Sequence, residues 1–163
     1  HKPFRFNLAS NRLVLVSDLS DISITLEKPL EFIDQLDNEY LAMGLVNSVP
    51  AGIYGKQALT YYKLWEPLTE QVAQTDNVRS ALALVASGEA PFGIVYHSDA
   101  GVESKVSIIA TFPELSHDPI LYPAAAVIES EKPTEPFLQF LRSEQSKVIL
   151  KRNGFLTEWQ QRD

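Results

Sequence analysis

Apolar residues in this chain gather into short runs divided by polar stretches, and the spacing within the runs changes along the sequence. Arg12-Leu13-Val14-Leu15-Val16 is continuous, branched and short, which favours a buried strand over a helix. Tyr40 to Gly44, Phe92 to Tyr96 (with Gly93 inside it), Val106 to Phe112 and Ile120 to Ile128 read as further strands. Pro123 within the last suggests an edge strand or a crossing between domains. Between these runs the spacing turns helical. Pro29 opens a short helix through Leu36, since proline is tolerated in a first helical turn. Val49-Pro50-Ala51-Gly52 is a strand-to-helix turn. The helix after it should reach about Leu64, with Ile53, Ala58, Leu59 and Tyr62 as its apolar stripe and Trp65-Glu66-Pro67 as its end. Val72 lies in a short connection or strand. Thr75-Asp76-Asn77 is a helix-start cluster before Val78 to Ala86, and Gly88 stops that helix. Pro133 to Leu141 and Ser143 to Arg152 are helical, with Gly154 as a stop. Ser17 to Lys28 is polar and irregular. Strands alternating with helices predict an α/β fold with a mainly parallel sheet.

Composition narrows the function classes. The 163 residues are 45% hydrophobic and 21% charged, values of a folded chain long enough to bury a core. The formal net charge of −7 argues against a general binder of nucleic acid or anionic membrane, which needs a basic face. It leaves room for a small anion site built from neutral donors. With no cysteine, disulfides, thiolate metal sites and cysteine nucleophiles are excluded. No apolar run approaches the roughly 20 residues of a membrane span. His1-Lys2-Pro3-Phe4 is neither a methionine start nor an apolar signal region, so a mature product or a cut chain is expected.

Enzyme chemistry finds little support. His1, His97 and His117 are the only histidines, and none belongs to an HExxH pair or a GxSxG elbow. His97 and Asp99, two apart, would share a face of a strand and could pair as base and orienter, although a polar strand end is the simpler reading. Glu129 and Glu131 are a similar pair, read as surface charge. No dinucleotide fingerprint, P-loop or EF-hand spacing occurs, so a metal ion has no sequence support.

Two turns carry a physical argument. Pro50-Ala51-Gly52 opens one helix with small residues, and Asp76-Asn77-Val78 opens another. The first amides of a helix have no partner inside it, and the aligned peptide dipoles add positive potential there. Two such ends facing one cleft make an anion site without lysine or arginine. Tyr96, closing the Gly93-Ile94-Val95-Tyr96 strand, can add a neutral hydroxyl donor.

Taken together, these segments resemble the periplasmic molybdate-binding proteins of ABC transporters. The resemblance runs in order through Val49-Pro50-Ala51-Gly52-Ile53-Tyr54, Asn77-Val78-Arg79-Ser80-Ala81-Leu82-Ala83-Leu84-Val85, Glu89-Ala90-Pro91-Phe92-Gly93-Ile94-Val95-Tyr96-His97-Ser98-Asp99-Ala100, Ala110-Thr111-Phe112-Pro113-Glu114-Leu115-Ser116-His117 and Lys151-Arg152-Asn153-Gly154-Phe155, about residues 8 to 156. It implies a type II periplasmic-binding fold in which two α/β lobes close on a tetrahedral oxyanion, molybdate or tungstate, that is then handed to a membrane permease. It implies a periplasmic location, no cofactor, and oxyanion contacts from the backbone amides of Ala51 and Val78 and the hydroxyl of Tyr96. The chain departs from the family in two ways. The family's N-terminal segment, with its two serine contacts, has no counterpart, and neither Ser10 nor Ser17 sits in that serine motif. The common Asp/Asn-Pro before the Pro-Ala turn is Leu45-Val46 here.

The resemblance therefore implies a complete second lobe at residues 11–119, and residues 1–10 and 120–163 as the crossover and the C-terminal part of an incomplete first lobe. Binding is expected to be weak or absent because part of the cleft is missing. Self-association is expected through Phe137, Phe140, Leu141 and Ile149. Two other readings stay open: an effector-sensing domain of a transcription regulator with the same two-lobe fold, and a small hydrolase or transferase using His97 and Asp99.

Overall fold

The continuous apolar runs become the most deeply buried strands. The computed structural model describes residues 5–19, 21–127 and 134–158. In order, the chain forms β1 (Arg5–Ser10), β2 (Leu13–Ser17), α1 (Pro29–Leu36), β3 (Leu41–Gly44), α2 (Pro50–Tyr61), α3 (Trp65–Leu68), β4 (Val72–Thr75), α4 (Val78–Ala86), β5 (Phe92–Tyr96), α5 (His97–Ala100), β6 (Ser107–Thr111), β7 (Leu121–Ala125), α6 (Glu135–Leu141) and α7 (Glu144–Arg152). It divides into two compact units, Arg12–Asp118 and His1–Asn11 with Pro119–Asp163.

The larger unit is built on a five-stranded sheet in the order β4-β3-β5-β2-β6. Every residue of β2 and β3 is buried. Strands covered on both faces show no apolar–polar alternation, hence the unbroken runs in the sequence. On one face Val14, Val16, Ala42 and Val95 pack with Ala81, Leu82 and Val85 of α4 and Ala100 of α5. On the other, Phe92 meets Phe32 of α1 edge-on at 5.4 Å between centroids. Helix α2 lies so close on that face that a Cβ on Gly55 would stand 2.5 Å from Met43 Cε.

The sheet is mixed, not mainly parallel. β3 runs parallel to β4 and β5, but β2 runs antiparallel to β5 and β6. The strand–helix alternation from β3 through α2, β4 and α4 to β5 gives the parallel part, since parallel neighbours need a crossover. β2 joins the sheet without one, and apolar spacing carries no information on strand direction. Helix α2 stops at Tyr61, earlier than its pattern predicts, because Lys63 takes a left-handed φ of 59°. Trp65-Glu66-Pro67 then opens α3. Ile53 is exposed, and α2 turns Ala51, Gly52, Gly55, Ala58 and Leu59 inward instead.

In the smaller unit β1 and β7 pair antiparallel, from Arg5 opposite Ala125 to Ser10 opposite Leu121. Strand β1 has no counterpart among the strands read from the sequence. Ser10 also exchanges two backbone hydrogen bonds with Leu156, at 2.8 and 2.9 Å. Helix α7 is capped by Ser143, whose Oγ accepts from the Ser146 amide at 3.2 Å. Gly88 and Gly154, with φ of 75° and 84°, follow α4 and α7, as expected of left-handed stops. Pro133, Glu129 and Glu131 lie outside the described residues.

Candidate functional site

Three neighbouring strands of the larger unit, in the order β4-β3-β5, are parallel and end on the same edge of the sheet. Open α/β sheets place ligands beyond the carboxyl ends of their strands. All three candidate donors stand there. Ala51 follows β3, Val78 follows β4, and Tyr96 is the last residue of β5.

The start of α2 follows from its sequence. Val49 holds the N-cap position in an extended conformation and supplies no side-chain cap. Pro50 at the first helical position has no N–H to satisfy. The first backbone bond of the helix is from the Ile53 amide to the Val49 carbonyl, at 2.9 Å. Among the described residues, the amides of Ala51 and Gly52 are left without a partner. Ala51 is buried to 1% exposure, so its N–H is held in a place where an unmet donor is costly. The turn ahead of it is tight. A Cβ on Gly52 would run into the carbonyls of Gly44 and Leu45, and one on Gly44 would meet Val49 Cγ1 at 2.6 Å.

The start of α4 is built differently. Asn77 caps it, its Oδ1 accepting from the Ser80 amide at 2.9 Å. That bond serves the third helical position and leaves the amides of Val78 and Arg79 ahead of it. The two helix starts are tied together. The Leu45 amide donates to the Thr75 carbonyl at 2.9 Å. Thr75 Oγ1 donates to the carbonyl of Asn77 at 2.8 Å and reaches that of Met43 at 3.3 Å. Gln74 Oε1 accepts from the Val46 amide at 2.9 Å. Neither Gln74 nor Thr75 is a site residue in the sequence reading, because their partners Met43, Leu45 and Val46 lie some thirty residues away, at the end of β3 and in the turn after it.

Tyr96 is half-buried and occupies the N-cap position of α5. His97 and Asp99 lie on that helical turn, not on a strand. Two residues apart on a helix do not face each other, and the ion-pair partner of Asp99 is Arg79, at 3.9 Å. The base–orienter pair suggested by their spacing does not form. Burial pushes the Asp99 carboxyl up, with Arg79 partly offsetting it. Tyr54, the fifth residue of α2, has its hydroxyl pushed up by burial and by the nearby Asp118 charge. Among the described residues no cluster of histidine and carboxylate side chains could hold a metal ion.

This edge offers hydrogen-bond donors from two helix starts, and its His97 and Asp99 do not pair, an arrangement suited to holding an anion. The class is that of a solute-binding protein. Residues 2–156 match the family model of bacterial extracellular solute-binding proteins, and the chain belongs to that family. Its members bind solutes and are not enzymes. The molybdate-binding protein ModA of Haemophilus influenzae is 39% identical over 151 residues, 91% of this chain and 59% of that protein. ModA of Escherichia coli K12 is 40% identical over 154 residues, 93% of this chain and 60% of its own length. This chain thus spans about three fifths of these relatives. The solved periplasmic molybdate-binding protein of Azotobacter vinelandii superposes with a TM-score of 0.78 at 23% identity, over 95% of this chain and 68% of that one. The fold is that of the periplasmic binding proteins.

Proposed function

We propose that this chain binds a tetrahedral oxyanion, molybdate or tungstate, as a periplasmic solute-binding protein serving an ABC permease. The observation that carries the reading is the pairing of two helix starts with unmet amides at the ends of adjacent parallel strands. The amides of Ala51 and Val78 and the hydroxyl of Tyr96 contact oxyanion oxygens. Residues 11–119 are one lobe of the binding protein, and the remainder belongs to the other. The two ModA relatives support the choice of ligand. They give no support to the regulator reading.

Neutral donors suit such a ligand. A fully deprotonated dianion only accepts hydrogen bonds, so a site of donors alone rewards it. A protonated phosphate brings a hydrogen that neither backbone amide can accept, which leaves the Tyr96 hydroxyl oxygen as the one acceptor of the three groups. The test is a thermal melt with excess molybdate, tungstate, sulfate or phosphate. A ligand that binds only the folded chain must raise its stability by mass action. Small upward shifts with molybdate and tungstate, in keeping with weak binding, and none with phosphate are expected. No shift with any of the four overturns oxyanion binding by this chain.

Self-association belongs to the same proposal. Phe137, Phe140 and Ile149 are exposed at 63%, 40% and 47%, and Leu141 lines a surface pocket of about 440 Å³ with Phe137 and Leu138. Apolar area of this kind favours a partner. Sedimentation at micromolar concentration is expected to give a mass above that of one chain. A strictly monomeric mass overturns this part.

A further inference from the structure

We infer that Gln74 is a positioning residue for the start of α2, standing in for a proline that this chain lacks at position 46; the inference rests on the oxyanion reading only for its effect on affinity. The turn that delivers the chain from β3 to α2 is closed by two bonds to the Leu45 carbonyl, from the amides of Ser48 at 3.3 Å and Val49 at 2.9 Å. The first of these makes Leu45–Ser48 a β-turn with Val46 at its second position. Proline is favoured there because its ring presets φ and the turn makes no use of that residue's N–H. Valine presets less and brings a donor that must be met. Val46 is 6% exposed, so its N–H has little access to water.

Gln74 Oε1 meets that donor at 2.9 Å. The bond does more than satisfy the amide. Gln74 lies on β4, opposite Met43 of β3, and three residues before the Asn77 cap of α4. Its carboxamide therefore anchors the turn carrying one set of unmet amides to the strand that carries the other. Leu45 N to Thr75 O at 2.9 Å fixes the near end of the turn to the same strand. Gln74 fixes its second residue, four positions before Pro50. The side chain itself is exposed, so nothing in core packing accounts for a glutamine here. With valine rather than proline at the second position of the turn, the glutamine supplies by hydrogen bonding a restraint of the kind that a proline ring supplies covalently.

The test uses the full chain in three forms: unaltered, Gln74→Ala, and Gln74→Ala with Val46→Pro. Two readouts are taken. Amide hydrogen exchange follows the Val49 and Ile53 amides, which close the turn and the first helical bond. Titration with sodium molybdate gives affinity. In Gln74→Ala, exchange at Val49 and Ile53 is expected to quicken by about tenfold, and molybdate affinity to fall by about threefold to tenfold, the scale of one lost hydrogen bond. Adding Val46→Pro, which deletes the orphaned donor and restores the fixed φ, is expected to recover both. A glutamine that only added stability would shift melting without slowing exchange selectively at these amides, and proline would not rescue it. Unchanged exchange at Val49 and Ile53 in Gln74→Ala overturns the inference, as does failure of proline to restore it. If exchange behaves as expected and no form binds molybdate, the positioning role stands and the oxyanion reading falls.

Discussion

The larger and smaller units put the same kinds of side chain to different use. In the larger unit Phe32 and Phe92 are buried at 1% exposure each and meet edge-on at 5.4 Å. In the smaller unit Phe137 and Phe140 stack at 6.5 Å with 63% and 40% of their surface exposed. Of the buried apolar side chains among the described residues, only Ala9, Ile120 and Leu138 lie in the smaller unit. Its strand β7 alternates between half-buried and exposed along its whole length. The larger unit closes its own core on both faces of its sheet. The smaller one forms its hydrogen bonds but leaves apolar surface open. Secondary structure is thus no measure of a finished core.

Truncating one aromatic in each unit gives the largest contrast. Phe92→Ala removes a ring from a filled interior, and losses of that type run to about 3–5 kcal/mol. Phe137→Ala removes a ring that is mostly in solvent in a single chain and, at concentrations below self-association, should change unfolding free energy by less than about 0.5 kcal/mol. Urea denaturation followed by circular dichroism measures both. Equal losses would mean that the smaller unit buries Phe137 in solution, against a partner or a second copy.

Gly52→Ala comes next. The added methyl meets two backbone carbonyls, of Gly44 and Leu45, rather than a movable side chain. The start of α2 must shift or the turn must open, at a cost of about 1–3 kcal/mol. Molybdate affinity should fall more than stability does, since the displaced amides are the proposed donors. Alanine at Gly101, where the nearest atom to a new Cβ is the His97 carbonyl at 3.4 Å, is the control and should leave affinity unchanged. Calorimetric titration of both variants decides between a local shift and general damage.

What the sequence discloses follows the same division. The unbroken runs at Leu13–Val16 and Leu41–Met43 announce strands covered on both faces, and the Asn77 and Ser143 caps mark helix starts where they occur. Strand β1 escapes notice although Arg5-Phe6-Asn7-Leu8 alternates polar and apolar, because four residues of alternation are a weak signal beside the runs that follow. Strand direction is invisible for a different reason, since hydrogen-bond pairing leaves no mark on apolar spacing. Ala51, Val78 and Tyr96 can be nominated from helix-start chemistry and resemblance. That they stand on one edge of the sheet depends on β3 lying between β4 and β5. The bond from Val46 to Gln74 links residues 28 apart in the chain, and no local pattern reports it.

The two side-chain caps offer a matched pair of smaller effects. Asn77 Oδ1 meets the Ser80 amide at 2.9 Å, and Ser143 Oγ meets the Ser146 amide at 3.2 Å. Replacing either by alanine should cost about 1 kcal/mol. In the larger unit that cost should appear in the global unfolding of the sheet on which α4 packs. In the smaller unit it should appear as local fraying of α7, seen as faster amide exchange at Ser146 and Lys147 with little change in the melt. A full global cost from Ser143→Ala would show that the two units unfold together.

The smallest contrast is one of sign. Asp99 in the larger unit has its pKa raised by burial, with Arg79 opposing. Glu144 in the smaller unit has its pKa lowered by the hydrogen bond and charge of Lys147, at 2.6 Å. A carboxyl with a raised folded pKa favours the fold below its unfolded pKa, and that contribution is lost as pH rises through the folded value. Asp99→Asn, which never ionises, should therefore be more stable than the parent at pH 7, and the difference should vanish below about pH 4. The lost pairing with Arg79 offsets little of this, because the two stand 3.9 Å apart and the Arg79 side chain is 87% exposed. Glu144 has the opposite sign. Its contribution is present above the unfolded pKa and lost as pH falls through the lowered folded value, so Glu144→Gln should be no more stable than the parent at pH 7. Melts of both variants at pH 7 and pH 3.5 test the pair, and a stabilised Glu144→Gln or a destabilised Asp99→Asn at pH 7 would reverse the electrostatic assignment of its unit.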